Sequence, residues 1–260
     1  MRAKTVVGLL AGVFIANLLY ANDTTQIKQF NKVYIGVTFT PGVSYRLLTK
    51  GLAKNAFFAS QEWIDEANRY ENPTFGYSVG IKTGFRLKKI LAIETGAEYS
   101  SLAFTYNRNN LTFYSGYRPD LTYDPTKYGS IKSTQGFHYL KIPLAFNISL
   151  GKGKVKAIIN TGLNFDFLIG RWNRTQWHLD NESGSSSESS SLPGPYNRIN
   201  VSPFVGVGID YHINQLLTLR IMPTAQLQMF NNIKSDIAER HWLAGINTCL
   251  LFGFKKVSLK

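Results

Sequence analysis

Tyr139-Leu140-Lys141-Ile142-Pro143-Leu144-Ala145-Phe146-Asn147-Ile148-Ser149-Leu150 alternates without a break: every even position is large and apolar, and Lys141, Asn147 and Ser149 stand among the odd ones. Successive side chains of a strand point to opposite faces, so this segment is a ribbon with one apolar and one polar face. The period recurs. Val33, Ile35, Val37, Phe39, Val43 and Tyr45 alternate with Tyr34, Gly36, Thr38, Thr40, Gly42 and Ser44. Leu217, Leu219, Ile221, Ala225 and Leu227 alternate with Thr218, Arg220, Thr224, Gln226 and Gln228. Repetition of this kind predicts an all-β, antiparallel sheet that closes on itself or pairs its edges.

Alternation does not say which face is inside, and the glycines decide it. Gly36, Gly42, Gly80, Gly84, Gly96, Gly162, Gly206, Gly208 and Gly245 share the face that carries Lys82, Arg86, Glu94, Glu98, Lys141 and Arg220. On a water-facing surface glycine only weakens a strand, whereas in a narrow lumen it makes room for long charged neighbours. The polar face therefore points inward and the apolar face meets lipid, the inverse of a soluble barrel that encloses an apolar ligand.

The N-terminus agrees with export. Arg2 and Lys4 precede an uncharged stretch from Thr5 to about Tyr20, and Ala21 offers a small residue before Asn22 and Asp23. That order of basic, apolar and small residues is a secretory signal peptide, expected over 1–21, with the barrel domain over 22–260. The one cysteine, Cys249, leaves no disulfide within the chain. A net charge of +13 over 260 residues would suit nucleic acid, but the basic residues do not cluster with aromatics on one surface, and an exported barrel meets none.

Strands are expected near Lys32–Tyr45, Phe75–Leu87, Leu91–Tyr106, Phe137–Leu150, Lys154–Arg171, Asn200–Tyr211, Leu216–Met229 and Arg240–Phe254: eight, an even number. Their connections alternate in length. Lys88-Lys89, Gly151-Lys152-Gly153 and His212-Ile213-Asn214-Gln215 are tight; 47–74, 107–136 and 172–199 are long, with a moderate one near 230–239. Such asymmetry is that of an up-and-down transmembrane barrel with short periplasmic turns, long extracellular loops and both termini periplasmic. Tyr45, Phe75, Tyr77, Phe104, Tyr106, Trp172 and Trp242 are expected as a girdle at the long-loop rim, and Tyr211, Phe252 and Phe254 at the other.

The leader, the strand opening Tyr139-Leu140-Lys141-Ile142-Pro143-Leu144, the Gly162-Leu163-Asn164 strand and the Gly206-Val207-Gly208-Ile209-Asp210-Tyr211 strand with its short turn together resemble the PorT-like family of small, porin-like outer-membrane β-barrels common in Bacteroidetes. The resemblance covers nearly all of the mature chain. It implies an outer-membrane location in a Gram-negative cell envelope, contact with membrane lipids and lipopolysaccharide, and insertion by the outer-membrane assembly machinery. Phe252 and Phe254 are the implied recognition end; the chain departs from the usual aromatic terminus in its basic tail, 255–260.

The inward charges are the principal candidate site. Lys82, Arg86, Lys141, Lys156 and Arg220 face Glu94, Glu98, Asp166 and Asp210 across a lumen that, at about eight strands, side chains just fill. An ion-pair and hydrogen-bond plug satisfies this charge; a selective pore or gate is the competing reading. A second group, Lys88, Lys89, Lys152, Lys154, Lys255 and Lys256, joins Lys28, Lys32 and Lys260 as a periplasmic basic ring.

Catalysis finds little support. His138 shares the lipid-facing parity of Leu140, where some small barrels hydrolyse lipid A, but Leu140 stands where a His-x-Ser pair would need its serine. His178, His212 and His241 lack metal-ligand spacing. The serine-rich stretch 181–195 reads as a mobile loop. Phe57, Phe58, Trp63 and Ile64 read as a short amphipathic helix over the rim. The expectation is a monomeric, non-enzymatic, cofactor-free structural or interaction protein of the envelope. A narrow porin and an accessory barrel of a secretion or surface-assembly system, with a periplasmic partner, are its rivals.

Overall fold

The computed structural model describes residues 32–50, 61–113, 127–179, 182–190, 196–233 and 237–254. Its elements are β1 (Val33–Lys50), α1 (Gln61–Tyr70), β2 (Glu71–Arg86), β3 (Leu91–Phe113), β4 (Lys127–Leu150), β5 (Val155–Leu179), β6 (Glu182–Ser190), β7 (Ile199–His212), β8 (Leu217–Leu227) and β9 (Ile237–Gly253). Antiparallel neighbours run β4-β3-β2-β1-β9-β8-β7-β5, and β4 also pairs with β5, so eight strands close into a ring. Closure leaves the ring no free edge. The leader, Lys28, Phe57, Phe58, the Trp63 side chain and the basic tail lie outside the described residues.

The two faces part as the alternation requires. Val37 is 54% exposed and its neighbour Thr38 3%; Ile81 is 56% exposed and Lys82 5%. The ring therefore turns apolar side chains outward and polar ones inward, the arrangement of a membrane barrel. No helix among the described residues is long and apolar enough to cross a membrane.

Lumenal glycines serve two purposes. At Gly84 a Cβ would stand 2.1 Å from Tyr34 Cζ, so there glycine clears space for a lumenal side chain, an aromatic one and not the charged one expected. At Gly162 the clash is with backbone: a Cβ would meet the Leu144 carbonyl oxygen at 2.1 Å and Ala145 Cα at 2.7 Å, so glycine lets β4 and β5 approach. In the β4–β5 turn, Gly151 and Gly153 adopt φ of +103° and +95°, which side-chain-bearing residues rarely reach.

The long-loop end departs from expectation. Segments 107–136 and 172–199 were expected as loops, yet β3 continues to Phe113, β4 begins at Lys127, and β5 runs on to Leu179. The cause lies in pairing. β7 pairs with β5 only up to Phe167, which leaves the backbone groups of Arg171–Leu179 without that partner; Glu182–Ser190 folds back and pairs with them. The serine-rich stretch is thus largely a strand, recruited by an available edge in spite of its composition. In the first long connection, α1 does form, and Ile64 and Ala67 pack on Leu48 while Glu66 pairs with Arg108 at 2.5 Å.

The expected outer girdle also needs correction at the long-loop rim. Phe104 is buried and clusters in the lumen with Leu102, Phe137, Tyr139, Leu168 and Leu243. Tyr106 shares its inward parity and meets Tyr70 of α1. Aromatic type did not reveal the face: β3 keeps even residues inward from Glu94 upward, and above the charged zone that inner face turns apolar. Phe75 remains an exposed outer residue, and Tyr211, Phe252 and Phe254 are exposed at the short-turn rim.

Gly162→Val should lower the unfolding free energy of the refolded barrel by about 1–3 kcal/mol through overpacking between β4 and β5. Urea titration in detergent, followed by tryptophan fluorescence, checks this against the outward-facing Val205→Ala.

Candidate functional site

Glu94 on β3 anchors the lower lumen. Its Oε1 accepts from Tyr34 Oη at 2.6 Å and Arg220 Nη1 at 2.7 Å, and its Oε2 accepts from Asn160 Nδ2 at 3.0 Å with Lys82 Nζ 3.5 Å away. Arg220 in turn forks onto Asp210, Nε to Oδ1 at 2.7 Å and Nη2 to Oδ2 at 3.1 Å. The Asn147 amide, turned so that both its ends are satisfied, places its oxygen 3.3 Å from Arg220 Nη1. Strands β1, β2, β3, β4, β5, β7 and β8 each supply a member. Two cations meet two carboxylates, so the buried charge is balanced, and charge-assisted bonds satisfy the guanidinium fork. One cavity at the short-turn mouth, lined by Tyr34, Arg86, Asn147 and Arg220 among others, has about 10 Å³, roughly one water.

The remaining predicted lumenal residues divide. Lys156 is the register partner of Asp210, and the Arg86 guanidinium lies 5.4 Å over the Tyr34 ring. Lys141, Glu98 and Asp166 occupy adjacent register positions one level up. Lys141 enters the plug through a hydrogen bond, its Nζ donating to Ser78 Oγ at 3.2 Å. Ser202 donates to Asp166 Oδ2, while Asp166 Oδ1 has no hydrogen-bond partner.

A third layer escaped sequence reasoning. Arg46 donates through Nε to Glu71 Oε2 at 2.9 Å and through Nη1 to Glu239 Oε2 at 2.6 Å, and its guanidinium lies 4.0 Å over the Phe104 ring. Glu239 Oε1 meets His241 Nε2 at 2.9 Å, His241 Nδ1 meets Tyr139 Oη at 3.0 Å, and Gln228 Oε1 accepts from the His241 backbone N–H at 3.0 Å. Arg46 shares the parity of Ser44 and was open to discovery. Glu71 and Glu239 fell in segments read as loops, which hid them.

On the outer face His138 Nδ1 lies 2.6 Å from Tyr99 Oη, and the two rings stack with centroids 5.5 Å apart. Ser101 is the register partner of His138 across β3, but the hydroxyl bonded to the imidazole is the tyrosine's. Among the described residues no three His, Cys, Asp or Glu side chains gather to hold a metal. Lys32, Lys88, Lys89, Lys152 and Lys154 are exposed at the short-turn end.

A family model described as an outer membrane protein beta-barrel domain matches residues 26–224. Solved structures that resemble the chain include Neisserial surface protein A, at 11% identity over 86% of this chain and 97% of that one with a TM-score of 0.38. They also include the outer membrane protein OprG of Pseudomonas aeruginosa, at 9% identity over 88% and 100% with a TM-score of 0.41. The outer membrane protease OmpT of Escherichia coli matches at 9% identity over 88% and 100%, with a TM-score of 0.42. No curated protein matches.

Arg220→Ala strands Glu94 and Asp210 in the lumen and should destabilise the barrel by about 3–5 kcal/mol. Lys88→Ala, on an exposed turn, should stay within about 0.5 kcal/mol of the parent. Denaturant titration of both variants, and of Arg220→Ala combined with Glu94→Gln and Asp210→Asn, should recover part of the loss in the triple variant.

Proposed function

The chain belongs to the outer-membrane protein β-barrel domain family, a protein of the bacterial outer membrane, and from that premise we propose that it is a closed, non-conducting and non-enzymatic barrel that serves the envelope as a structural or interaction component. The observation that carries this reading is the Tyr34–Glu94–Arg220–Asp210 network, which fills the lower lumen from wall to wall. An open pore needs a continuous water-filled path along its axis, and here the paired side chains of Glu94, Arg220 and Asp210 occupy that path. The apolar outer band contacts lipid and lipopolysaccharide. Assembly proceeds through the outer-membrane insertion machinery, with Phe252 and Phe254 as the end it reads. Both termini and the short turns face the periplasm, with the long connections outside.

One observation favours a narrower role. Lys88, Lys89, Lys152 and Lys154 stand exposed on two short turns of the same end, a position from which a basic ring holds phosphate groups of the inner leaflet or an acidic periplasmic partner. The accessory-barrel role implied by the PorT-like resemblance is compatible with such a partner.

Planar-bilayer recordings of the refolded mature chain should show little or no steady current. Large, stable conductance in the unmodified protein would replace this reading with that of a narrow porin. Neutralising the four turn lysines together should weaken a salt-sensitive association with anionic phospholipid vesicles and leave heat-modifiable gel mobility intact. Association that is indifferent to salt and to the four changes would leave these lysines as solvated turn residues.

A further inference from the structure

Above the lumen, the upper parts of β3, β4, β5 and β6 form a four-stranded arm. Register puts Gln135, Asn173 and Glu188 in one row on the side that faces the mouth, with Ser133, Thr175 and Ser186 in the next. Ser133 Oγ donates to Asn173 Oδ1 at 2.9 Å and lies 3.1 Å from Thr175 Oγ1, so the amides and hydroxyls are tied into one plane. At the foot of this face is a cavity of about 140 Å³, lined by Gln135, Asn173, Arg171 and Glu188 with Phe137 and Tyr196. Tyr196 is half-buried, edge-on to Phe137 with centroids 5.2 Å apart, and the Arg171 guanidinium lies 5.4 Å over its ring.

Further out on the same face Trp177 is 39% exposed. Its partner across β6 is Gly184, where a Cβ would come within 2.4 Å of the indole. Only glycine there lets the ring lie over the neighbouring strand. Trp177 lies four positions beyond Asn173, about 13 Å along β5.

This combination selects a ligand class. One cation beside one anion gives the cavity no net charge, which disfavours a phosphate or polyanion. Side-chain amides and a charged pair at its wall disfavour an acyl chain. Planar amides and hydroxyls that both donate and accept, beside aromatic rings, suit a molecule with hydroxyl edges and apolar C–H faces. We propose that this face binds a saccharide chain, with one pyranose ring in the cavity and another against Trp177. The site goes beyond the reading of a closed barrel and does not depend on it, since its residues lie above the charge network; a barrel that conducts would leave it standing.

The test uses the full mature barrel refolded in an amine-oxide detergent without sugar headgroups, titrated calorimetrically with two soluble probes. Maltohexaose stands for a free glucan and the deacylated core oligosaccharide of lipopolysaccharide for the glycolipid of the same leaflet. Saturable binding of either probe is expected, and the one preferred identifies the source. Trp177→Ala and Asn173→Ala should each weaken it about tenfold, with heat-modifiable mobility preserved as evidence of folding. The idea is falsified if neither probe binds saturably, or if both variants, shown to be folded, bind as the parent does.

Discussion

Charge facing inward is the constraint around which this barrel is arranged. A ring of eight strands leaves an interior narrow enough that Arg220 reaches Asp210 beside it and Glu94 across from it without an intervening solvent path. With lipid beyond the wall, each of these groups has a partner in the lumen or none. Breaking one member exposes the others to the penalty of uncompensated burial, so the network acts as a unit that ties strands far apart in the ring. Tyr34 and Asn160 finish the job by occupying the remaining carboxylate lone pairs of Glu94.

The lumen changes character along its axis. Near the short turns it is ionic; at mid-height Lys141 and Asp166 hydrogen-bond to the hydroxyls of Ser78 and Ser202 and not to each other. Toward the long connections it becomes a mixed layer in which Arg46 stacks over Phe104 while its fork holds Glu71 and Glu239. Above that, α1 covers part of the opening by packing Ile64 and Ala67 onto Leu48.

Much of this was legible in the sequence. Period-two alternation assigned Lys82, Glu94, Asp210 and Arg220 to one face, and the glycines on that face placed it inside. What alternation lacks is partner identity: it put Lys141 and Asp166 in the same lumen and could not tell that serines would intervene. Composition misled at Glu182–Ser190, where serine and glycine suggested a loop but an available β5 edge made a strand. It misled again at Phe104, since an aromatic near the rim reads as a girdle residue whichever way it points. Glu71 and Glu239 were hidden because the strands carrying them reach beyond the membrane-height pattern from which the strands were recognised.

The seam between β1 and β9 joins residues as distant as Tyr34 and Gly253. Every other neighbouring pair in the ring brings together segments much closer in the chain, so this is the contact whose loop-closure entropy is largest, and in a folding reaction governed by topology it forms late. Arg46 with Glu239, and Asn247 with Thr38 and Thr40, bridge this same seam from inside. They act as latches that engage only on closure, contributing to the height of the barrier against reopening more than to the speed of folding. Persistence in the membrane is thereby a kinetic property, vested in a few side chains at the join of first strand and last.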